Sequence, residues 1–479
     1  MWKLALLVLA QLSSAINAEV QFRVIKQWKF VNYTWGSNEA YRSALESGIY
    51  VPQNVVMAGI TYYKDYFYIT MPRMKSGVPA TLGRISALPG FGTSPLIEPF
   101  PSWDFNKLDD CDALQNVQNL EIDPSGTMYI LDGGHTHSLM QTPVKNCPAQ
   151  LVIYDLRKNT TVSKHVFPES VASRNDSFLY DLVVDNDFVY ITDNSANDPG
   201  IVVYSLSAGR SWKIRHSASM RADPKAQNFK VNNDVVNAPI NIAGIALGPR
   251  TYHSASGVTL NHDREVFYCP MSSLHLYSIS TAILQNEANS NNGQDYPGLV
   301  HDVGRKASQT DGMMMTNKGV LYYGLLGDNS IAQWNSTKPF SSGQKVLSRD
   351  PNYIQWTNAF TIDTNGSITV LSNTLQSFIH GDLDTHKYNF WLLSAEIGEQ
   401  SYLYEDSSTM YSPLPNEETS EPSSSSSPTP TTSTSTTPSS TTTATPKLEQ
   451  GGGGGGASQQ ILELSVIIMA VSTWFFYNN

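Results

Sequence analysis

A short pattern of apolar and polar residues recurs six times along the middle of the chain. Each copy has an apolar run, a turn of Asp, Asn, Gly or Lys, and a second run rich in Tyr, Val and Ile. Turn residues between two paired apolar runs predict a β-hairpin. The six copies are Gly59–Thr70, Leu120–Asp132, Leu182–Asp193, Gly244–Leu247 with Val266–Tyr268, Met313–Tyr323, and Phe360–Leu371.

Further apolar runs follow several of these hairpins and predict a third strand in each unit. Three or four strands per unit, six times over, predict an all-β fold, a six-bladed β-propeller with a central channel. The segment Phe22–Phe30 precedes the first unit and is expected to complete the last blade and close the ring. A β-sandwich is the alternative, but its roughly seven to nine strands would leave about half of the chain unused. The third runs are Leu151–Asp155, Ile201–Ser205, Leu274–Ser278 and Ser330–Trp334.

The composition changes at both ends of the chain. Lys3, the apolar run Leu4–Leu9 and the small residue Ala18 have the order of a secretory signal peptide, so residues 1–18 are expected to be removed. The propeller is then expected to span residues 19–416. Residues 417–450 are rich in Ser, Thr and Pro, which predicts a disordered and O-glycosylated stalk.

Residues 451–479 combine six glycines, a polar spacer and an apolar run that begins at Leu464. This order is typical of a GPI attachment signal. A transmembrane helix is the competing interpretation, although the run is shorter than the roughly 20 residues that a bilayer requires. A tail that anchors nothing is the third interpretation. The chain is therefore expected to be secreted or displayed at the cell surface, with a membrane contact only through this tail.

The formal net charge is -11, and it is spread thinly without a basic block. A nucleic-acid partner is therefore not expected. Asn-x-Ser/Thr sequons agree with secretion and are the predicted N-glycosylation sites. These sites are Asn32, Asn159, Asn175, Asn335 and Asn365.

Three cysteines leave one without a partner in an oxidising compartment. Cys111 and Cys147 are nearest in the sequence and are the predicted disulfide. A bridge between them would stabilise the folded state by about 4 kcal/mol in the chain-entropy model, because it closes a loop in the unfolded chain. Cys269 would then be a buried thiol or would bond to another chain.

Several phrases in the chain resemble the insect yellow / major royal jelly protein family. The most specific of them is Gly77-Val-Pro-Ala-Thr-Leu82, and the resemblance covers about Val20 to Ile397. The family usually has four cysteines, and in this chain Gln333 stands at the position of the last, which implies that Cys269 has lost its partner. Further matching phrases are Met57–Ile60, Met71–Arg73, Ile122–Tyr129, Leu131–Gly134, Thr192–Ser195, Pro199–Tyr204 and Gly244–Leu247.

The resemblance implies three kinds of activity. Some members look like isomerase-type enzymes that convert dopachrome-type intermediates in melanin formation, some bind biogenic amines, and some are structural or nutritional. The stalk and the tail favour display at a cuticle-forming surface, and therefore a role in pigmentation. The expected ligand is a small aromatic amine or a catechol-derived molecule, and no cofactor is expected. A calcium-dependent lactonase-like propeller is a further alternative.

No standard catalytic string is present: the chain has no nucleophile elbow, no His-Glu-x-x-His and no phosphate loop. His135 and His137 have the spacing of a metal pair but follow two glycines in a predicted loop, so no metal site is predicted.

The ligand site is expected at one mouth of the channel, where the innermost strands begin. Short amides and carboxylates there suit an ammonium or catechol ligand, although such side chains can also serve only to cap strand ends. The resemblance adds two stretches of the final blade, Trp356–Asn358 and Ser372–Asn373. The candidate ligand-binding residues are Asn54, Asn119, Asp181, Asn241, Asp311, Thr357, Asn358 and Asn373.

Overall fold

The computed structural model describes residues 20–89, 93–250, 254–255, 258–259, 264–290 and 298–404. Within them, six four-stranded antiparallel sheets form the blades of a β-propeller, which confirms the predicted fold. The innermost strand of each blade contacts the innermost strand of the next, and the last contacts the first. These six strands surround the central channel. The predicted signal peptide, stalk and tail lie outside the described residues.

Each blade has its first-named strand at the channel and its last-named strand at the outer edge. Blade 1 consists of Ile60–Tyr63, Tyr66–Thr70, Leu82–Ser86 and Glu98–Pro99. Blade 2 consists of Val117–Ile122, Thr127–Asp132, Gln150–Asp155 and Thr160–Val166. Blade 3 consists of Leu179–Asp185, Phe188–Asp193, Gly200–Ser205 and Arg210–Ile214. Blade 4 consists of Ile242–Leu247, Glu265–Pro270, His275–Ser280 and Val300–Arg305.

Blade 5 consists of Met313–Met315, Val320–Leu325, Ser330–Asn335 and Gln344–Arg349. Blade 6 consists of Trp356–Ile362, Ser367–Asn373, Phe390–Glu396 and Arg23–Trp28. The last of these strands comes from the start of the chain and pairs antiparallel with the strand before it, with Trp28 opposite Phe390. Backbone hydrogen bonds between the two ends of the domain therefore close the ring, as predicted for Phe22–Phe30.

The apolar runs are continuous because the middle strands of a blade are covered on both faces. Every residue of Thr127–Asp132 and of Gln150–Asp155 is buried. The outermost strand of the same blade, Thr160–Val166, is almost entirely exposed and polar. Burial on both faces removes the alternation that marks a half-exposed strand, which explains why the repeat is visible as runs.

The turns between the runs are built from the residues that the repeat contains. In blade 2, Asp123 Oδ1 accepts hydrogen bonds from Ser125 Oγ at 2.6 Å and from the Thr127 amide at 3.0 Å. Gly126 then adopts a φ of +88°, a left-handed conformation that favours glycine. Blade 6 repeats the arrangement around Asp363. The Asp-x-x-Gly signature therefore specifies the inner hairpins of both blades.

Helices and small hairpins lie in the connections between strands. No helix within the described residues is long and apolar enough to cross a membrane. The α-helices are Asn38–Glu46, Ser217–Met220, Thr281–Gln285, Phe340–Gly343 and Leu375–His380. The 3-10 helices are Pro52–Asn54, Asp104–Asn106, Glu287–Ser290, Leu326–Asp328 and Tyr402–Tyr404. The hairpins are Asn228–Val231 with Asp234–Asn237 and Ser254–Ala255 with Val258–Thr259.

Cys111 and Cys147 form a disulfide that ties the segment before blade 2 to a loop within that blade. Cys269 is a free, fully buried thiol in the apolar core shared by blades 4 and 5. Burial raises its pKa, so this thiol is poorly reactive. Glycosylation of the five sequons stays a prediction. Asn159, Asn175 and Asn365 are exposed, and Asn32 and Asn335 are half-buried.

Candidate ligand-binding chamber

β-Bulges in the innermost strands direct polar side chains toward the channel. In blade 2 the strand pairing shifts between Val117 and Asn119, so Gln118 is an extra residue. Blades 3 and 6 have equivalent shifts at Tyr180–Asp181 and at Asn358. A bulge leaves one residue outside the ladder and can change the direction of its side chain. The same irregularity thus recurs around the ring at one level of the channel.

The bulge residues Gln118, Tyr180 and Asn358 line one small cavity at the start of the channel. Its volume is about 10 Å³, which is room for one atom of the size of a water oxygen. Three different blades therefore contribute polar groups to one small space. The remaining lining residues are Val56, Ala58, Met74, Asn119 and Leu375.

A larger and mainly apolar chamber adjoins the small cavity and shares Met74, Tyr180 and Leu375 with it. The chamber encloses about 700 Å³ of empty space, including the part open to solvent. On the measure that gives about 10 Å³ for the small cavity, the chamber has about 60 Å³, so it is the roomier of the two. Its other lining residues are Leu139, Phe178, Asn194, Val236, Asn237, Ala238, Ile240, Met271, Trp356, Ile379 and His380.

Two insertions form the roof of the chamber. One is the hairpin of residues 228–237, which precedes blade 4, and the other is the helix Leu375–His380 within blade 6. They contact each other through Ser377 Oγ, which donates a hydrogen bond to Asp234 Oδ2 at 2.7 Å. The chamber is therefore bounded by the channel mouth below and by these two insertions above.

Tyr180 connects the chamber to a buried carboxyl group. Its hydroxyl lies 2.9 Å from each carboxylate oxygen of Asp311, and the indole N–H of Trp356 donates to Asp311 Oδ2 at 2.6 Å. Burial raises the pKa of Asp311 to about 8, although both donors lower it. Burial and the neighbouring Asp311 raise the pKa of Tyr180 well above its usual value. A hydroxyl bonded to a carboxyl that titrates near neutral pH can pass a proton.

Two more buried carboxyl groups lie deeper in the channel. Asp181 accepts a hydrogen bond from Asn119 Nδ2 at 2.6 Å, and burial raises its pKa to about 7. Glu121 accepts one from Tyr402 Oη at 3.2 Å, and burial raises its pKa to about 8. Tyr402 follows blade 6 and also accepts from the Val184 amide, so its hydroxyl bridges the innermost strands of blades 2 and 3.

The raised pKa of Glu121 predicts that stability depends on pH. The group titrates at about 4.3 in an unfolded chain and at about 8 in the folded protein. Between these values the folded state holds a proton that the unfolded state has lost, so stability falls as the pH rises and the loss is complete above about 8. Glu121→Gln stays neutral and is expected to raise Tm at pH 8.5 more than at pH 5. Thermal unfolding at both pH values measures this, with the exposed Glu396→Gln as the control, and an equal shift at both would contradict it.

Some of the residues predicted from the sequence lie at the channel. Asn119 and Asp181 line its deeper part, and Asn358 lines the small cavity at its start. Asp311 is fully buried behind Tyr180. The structure therefore brings these four predicted residues together, and their role in binding a ligand stays a prediction.

The other predicted residues lie in the scaffold around the channel. Asn54 Nδ2 donates to the Ser76 carbonyl at 2.9 Å, and Asn241 Nδ2 donates to the Ser195 carbonyl at 2.7 Å. Both side chains hold neighbouring loops. Thr357 is buried at the contact between blades 5 and 6. None of these three residues lines the chamber, the small cavity or the deeper part of the channel.

Asn373 belongs to a structural repeat. It ends the second strand of blade 6, as Asp132 and Asp193 end those of blades 2 and 3. The two aspartates accept from backbone amides that precede the innermost strands. Asn373 Nδ2 donates to the Met57 carbonyl at 2.8 Å and to Asn358 Oδ1 at 2.9 Å. Its fully buried side chain therefore joins blade 6 to blade 1.

Four residues of the channel were missed by the sequence patterns: Gln118, Glu121, Tyr180 and Tyr402. Gln118 and Tyr180 are each the immediate neighbour of a predicted residue in an innermost strand. In a regular strand the two neighbours would face opposite sides. The bulges bring both toward the channel, and the order of apolar and polar residues carries no sign of a bulge.

The two histidines that have metal-pair spacing lie in the loop that follows the second strand of blade 2. Burial lowers the pKa of His135 to about 4, which keeps its ring neutral at physiological pH. In the described part of the chain, no three His, Cys, Asp or Glu side chains are placed to hold a metal ion.

The fold and the chamber define a class: a six-bladed β-propeller with a mainly apolar chamber at one mouth of its central channel. A model of the family described as "Major royal jelly protein" matches residues 115–401, which is more than half of the chain. The chain belongs to the major royal jelly protein family.

Individual proteins match over most of the chain. Protein yellow of Drosophila erecta is 26% identical over 386 residues, which cover 77% of this chain and 68% of that protein. Dopaminechrome tautomerase of Drosophila melanogaster is 25% identical over 404 residues, which cover 81% of this chain and 84% of that protein. Among solved structures, a luciferin-regenerating enzyme aligns with 80% of this chain and 97% of its own, with 9% identity and a TM-score of 0.42.

Proposed function

We propose that the chamber binds a small planar molecule derived from a catechol, such as an aminochrome, and promotes its tautomerisation in a pigment pathway. The apolar lining suits a flat ring system, and Trp356 and Phe178 offer aromatic faces. The similarity to protein yellow and to dopaminechrome tautomerase supports this ligand class.

The observation that carries the proposal is the Tyr180–Asp311 pair. Tautomerisation removes a proton from carbon and delivers a proton to oxygen, so it consumes no oxidant and needs no redox cofactor. Tyr180 is the only hydroxyl-bearing residue among the described lining residues of the chamber. Behind it, Asp311 has a pKa of about 8. Ionised Asp311 can accept a proton through Tyr180, and the protonated pair can return it to an oxygen of the ligand.

The test uses the purified full-length protein. Its effect on the decay of dopaminechrome is followed spectrophotometrically, with the uncatalysed decay subtracted, and dopamine and serotonin binding are measured by calorimetry. Turnover of the aminochrome is the expected result. Absence of both turnover and binding would leave only a structural role.

A non-catalytic amine binder is the second candidate, and the buried carboxyl of Asp181 favours it. An ammonium group reaching the deeper part of the channel would find this acidic group and the amide of Asn119. Tight stoichiometric binding of an amine without turnover of an aminochrome would select this candidate over the tautomerase.

We also propose that the protein is secreted and held at the cell surface by a GPI anchor. The N-terminal apolar run, the glycine run followed by an apolar end, and the three exposed sequons support this location. Treatment of expressing cells with a phosphatidylinositol-specific phospholipase is expected to release the protein. A C-terminal peptide from residues 459–479 that persists in the mature protein would instead indicate a transmembrane or an unanchored tail.

A further inference from the structure

Gln118 presents an unsatisfied hydrogen-bond donor at the floor of the chamber. Its side chain is 4% exposed, and its Nε2 has no hydrogen-bond partner among the described residues. Buried polar groups are nearly always paired, so an unpaired one calls for an explanation. Its position is fixed, because the bulge lies at this residue and Thr70 Oγ1 donates to its backbone carbonyl at 2.9 Å.

The polar groups around Gln118 are already engaged with one another. Asn119 donates to Asp181 and accepts from the Leu120 amide at 2.9 Å. Asn358 Oδ1 accepts from Asn373, and the Tyr180 hydroxyl is bonded to Asp311. Gln118 Nε2 is the lining atom of the small cavity that is buried without a partner, and an amide N–H can only donate.

The size of the small cavity limits what this amide can meet. About 10 Å³ accommodates one oxygen-sized atom and excludes a ring or an extended side chain. A carbonyl oxygen carried by a planar ring in the chamber could fill this space and accept the hydrogen bond. A primary ammonium group carries only donors, so it would leave Nε2 unpaired.

We propose that Gln118 is a specificity-determining residue that selects ligands carrying a carbonyl oxygen over ligands carrying an ammonium group. This assignment rests on the proposed function of the chamber and narrows its ligand class to quinone-type molecules. A site built to hydrogen-bond one substrate group rejects analogues that lack it, because its own polar group then stays unpaired.

Calorimetric titration of the full-length protein with three probes tests the assignment. Isatin is a stable indole dione, indole is the same ring system without carbonyls, and phenethylamine is an aromatic amine without an oxygen atom. The wild-type protein is expected to bind isatin about tenfold or more tightly than either of the other two. Gln118→Met removes the amide at similar size, and it is expected to abolish that preference without weakening the binding of indole.

The matched control is Gln376→Met. Gln376 is an equally buried amide in the roof helix, but it lines neither the chamber nor the small cavity, so its variant is expected to keep the preference for isatin. If Gln118→Met does not fold, Gln118→Asn serves instead, because it keeps an amide but withdraws it by one methylene. The same preference in a folded Gln118 variant and in the wild type would overturn the assignment. Tighter binding of phenethylamine than of isatin by the wild type would overturn it too. If the wild type binds none of the three probes, the proposed function itself fails.

Discussion

Tyr180→Phe is expected to lower the turnover of an aminochrome by about hundredfold or more while leaving the protein folded. The substitution removes the hydroxyl that links the chamber to Asp311. A proton then has no route between the intact Asp311 carboxyl and the ligand. Positioned proton transfer contributes a factor of about 100 to 10,000 to a rate. Initial rates with dopaminechrome, corrected for uncatalysed decay, give the effect on kcat.

The matched control is Tyr323→Phe. Its hydroxyl donates to Gln344 Oε1 at 2.8 Å within blade 5, so the variant loses a partly buried hydrogen bond at a residue that does not line the chamber. Its turnover is expected to equal that of the wild type. Undiminished turnover in Tyr180→Phe would remove this residue from the mechanism and leave the chamber as a binding site only.

The rate should also depend on pH. If ionised Asp311 accepts the proton, the wild-type rate rises as the pH increases toward about 8, because the base form becomes populated. Tyr180→Phe is expected to lose this rise together with the rate. A pH profile that stays the same in the variant would point to a base other than Asp311.

Gly244→Ala is expected to destabilise the protein by about 3 kcal/mol or more. A Cβ atom at this position would lie 2.0 Å from the backbone carbonyl oxygen of Asp311. That oxygen belongs to the next blade, and the closed ring leaves little freedom for the backbone to move away. Similar close approaches occur at Gly59 and Gly312, which shows how tightly the innermost strands meet around the channel.

Urea or thermal unfolding monitored by circular dichroism measures the loss of stability in Gly244→Ala, and a failure to accumulate as soluble protein is the extreme form of the same result. Gly36→Ala is the control, because its Cβ would meet nothing within 4 Å. It is expected to unfold like the wild type. An unchanged unfolding midpoint for Gly244→Ala would mean that adjacent blades can move apart at the channel with little loss of free energy.

The blades could be predicted from the sequence because their signals are local. The turn of Asp123 to Gly126 is closed by hydrogen bonds within four residues of its aspartate, and the flanking runs are apolar because both faces of the strands are covered. The prediction of the strand Arg23–Trp28 required one further step. A ring of blades closes when the start of the chain supplies the outermost strand of the last blade. The six repeats implied that ring.

The candidate site was predicted only in part, for a physical reason. The sequence placed the candidate site at the start of the innermost strands, and Asp181, Asp311 and Asn358 lie there. Gln118 and Tyr180, which line the small cavity together with the predicted Asn119 and Asn358, were missed because β-bulges set their direction. A bulge depends on how two strands pair, so it is a property of the assembled sheet.

The sequence by itself determined the repeat, the hairpins, the strand order and the closure of the ring, because these follow from turn chemistry and from the spacing of apolar runs. Only the tertiary structure decided which polar side chains are free to meet a ligand. Asn373 and Gln118 are both buried amides near the start of the channel, yet Asn373 is bonded to three neighbouring groups and Gln118 keeps a donor unpaired. That difference arises where strands from separate blades converge, since hydrogen-bond partners there come from residues far apart in the chain.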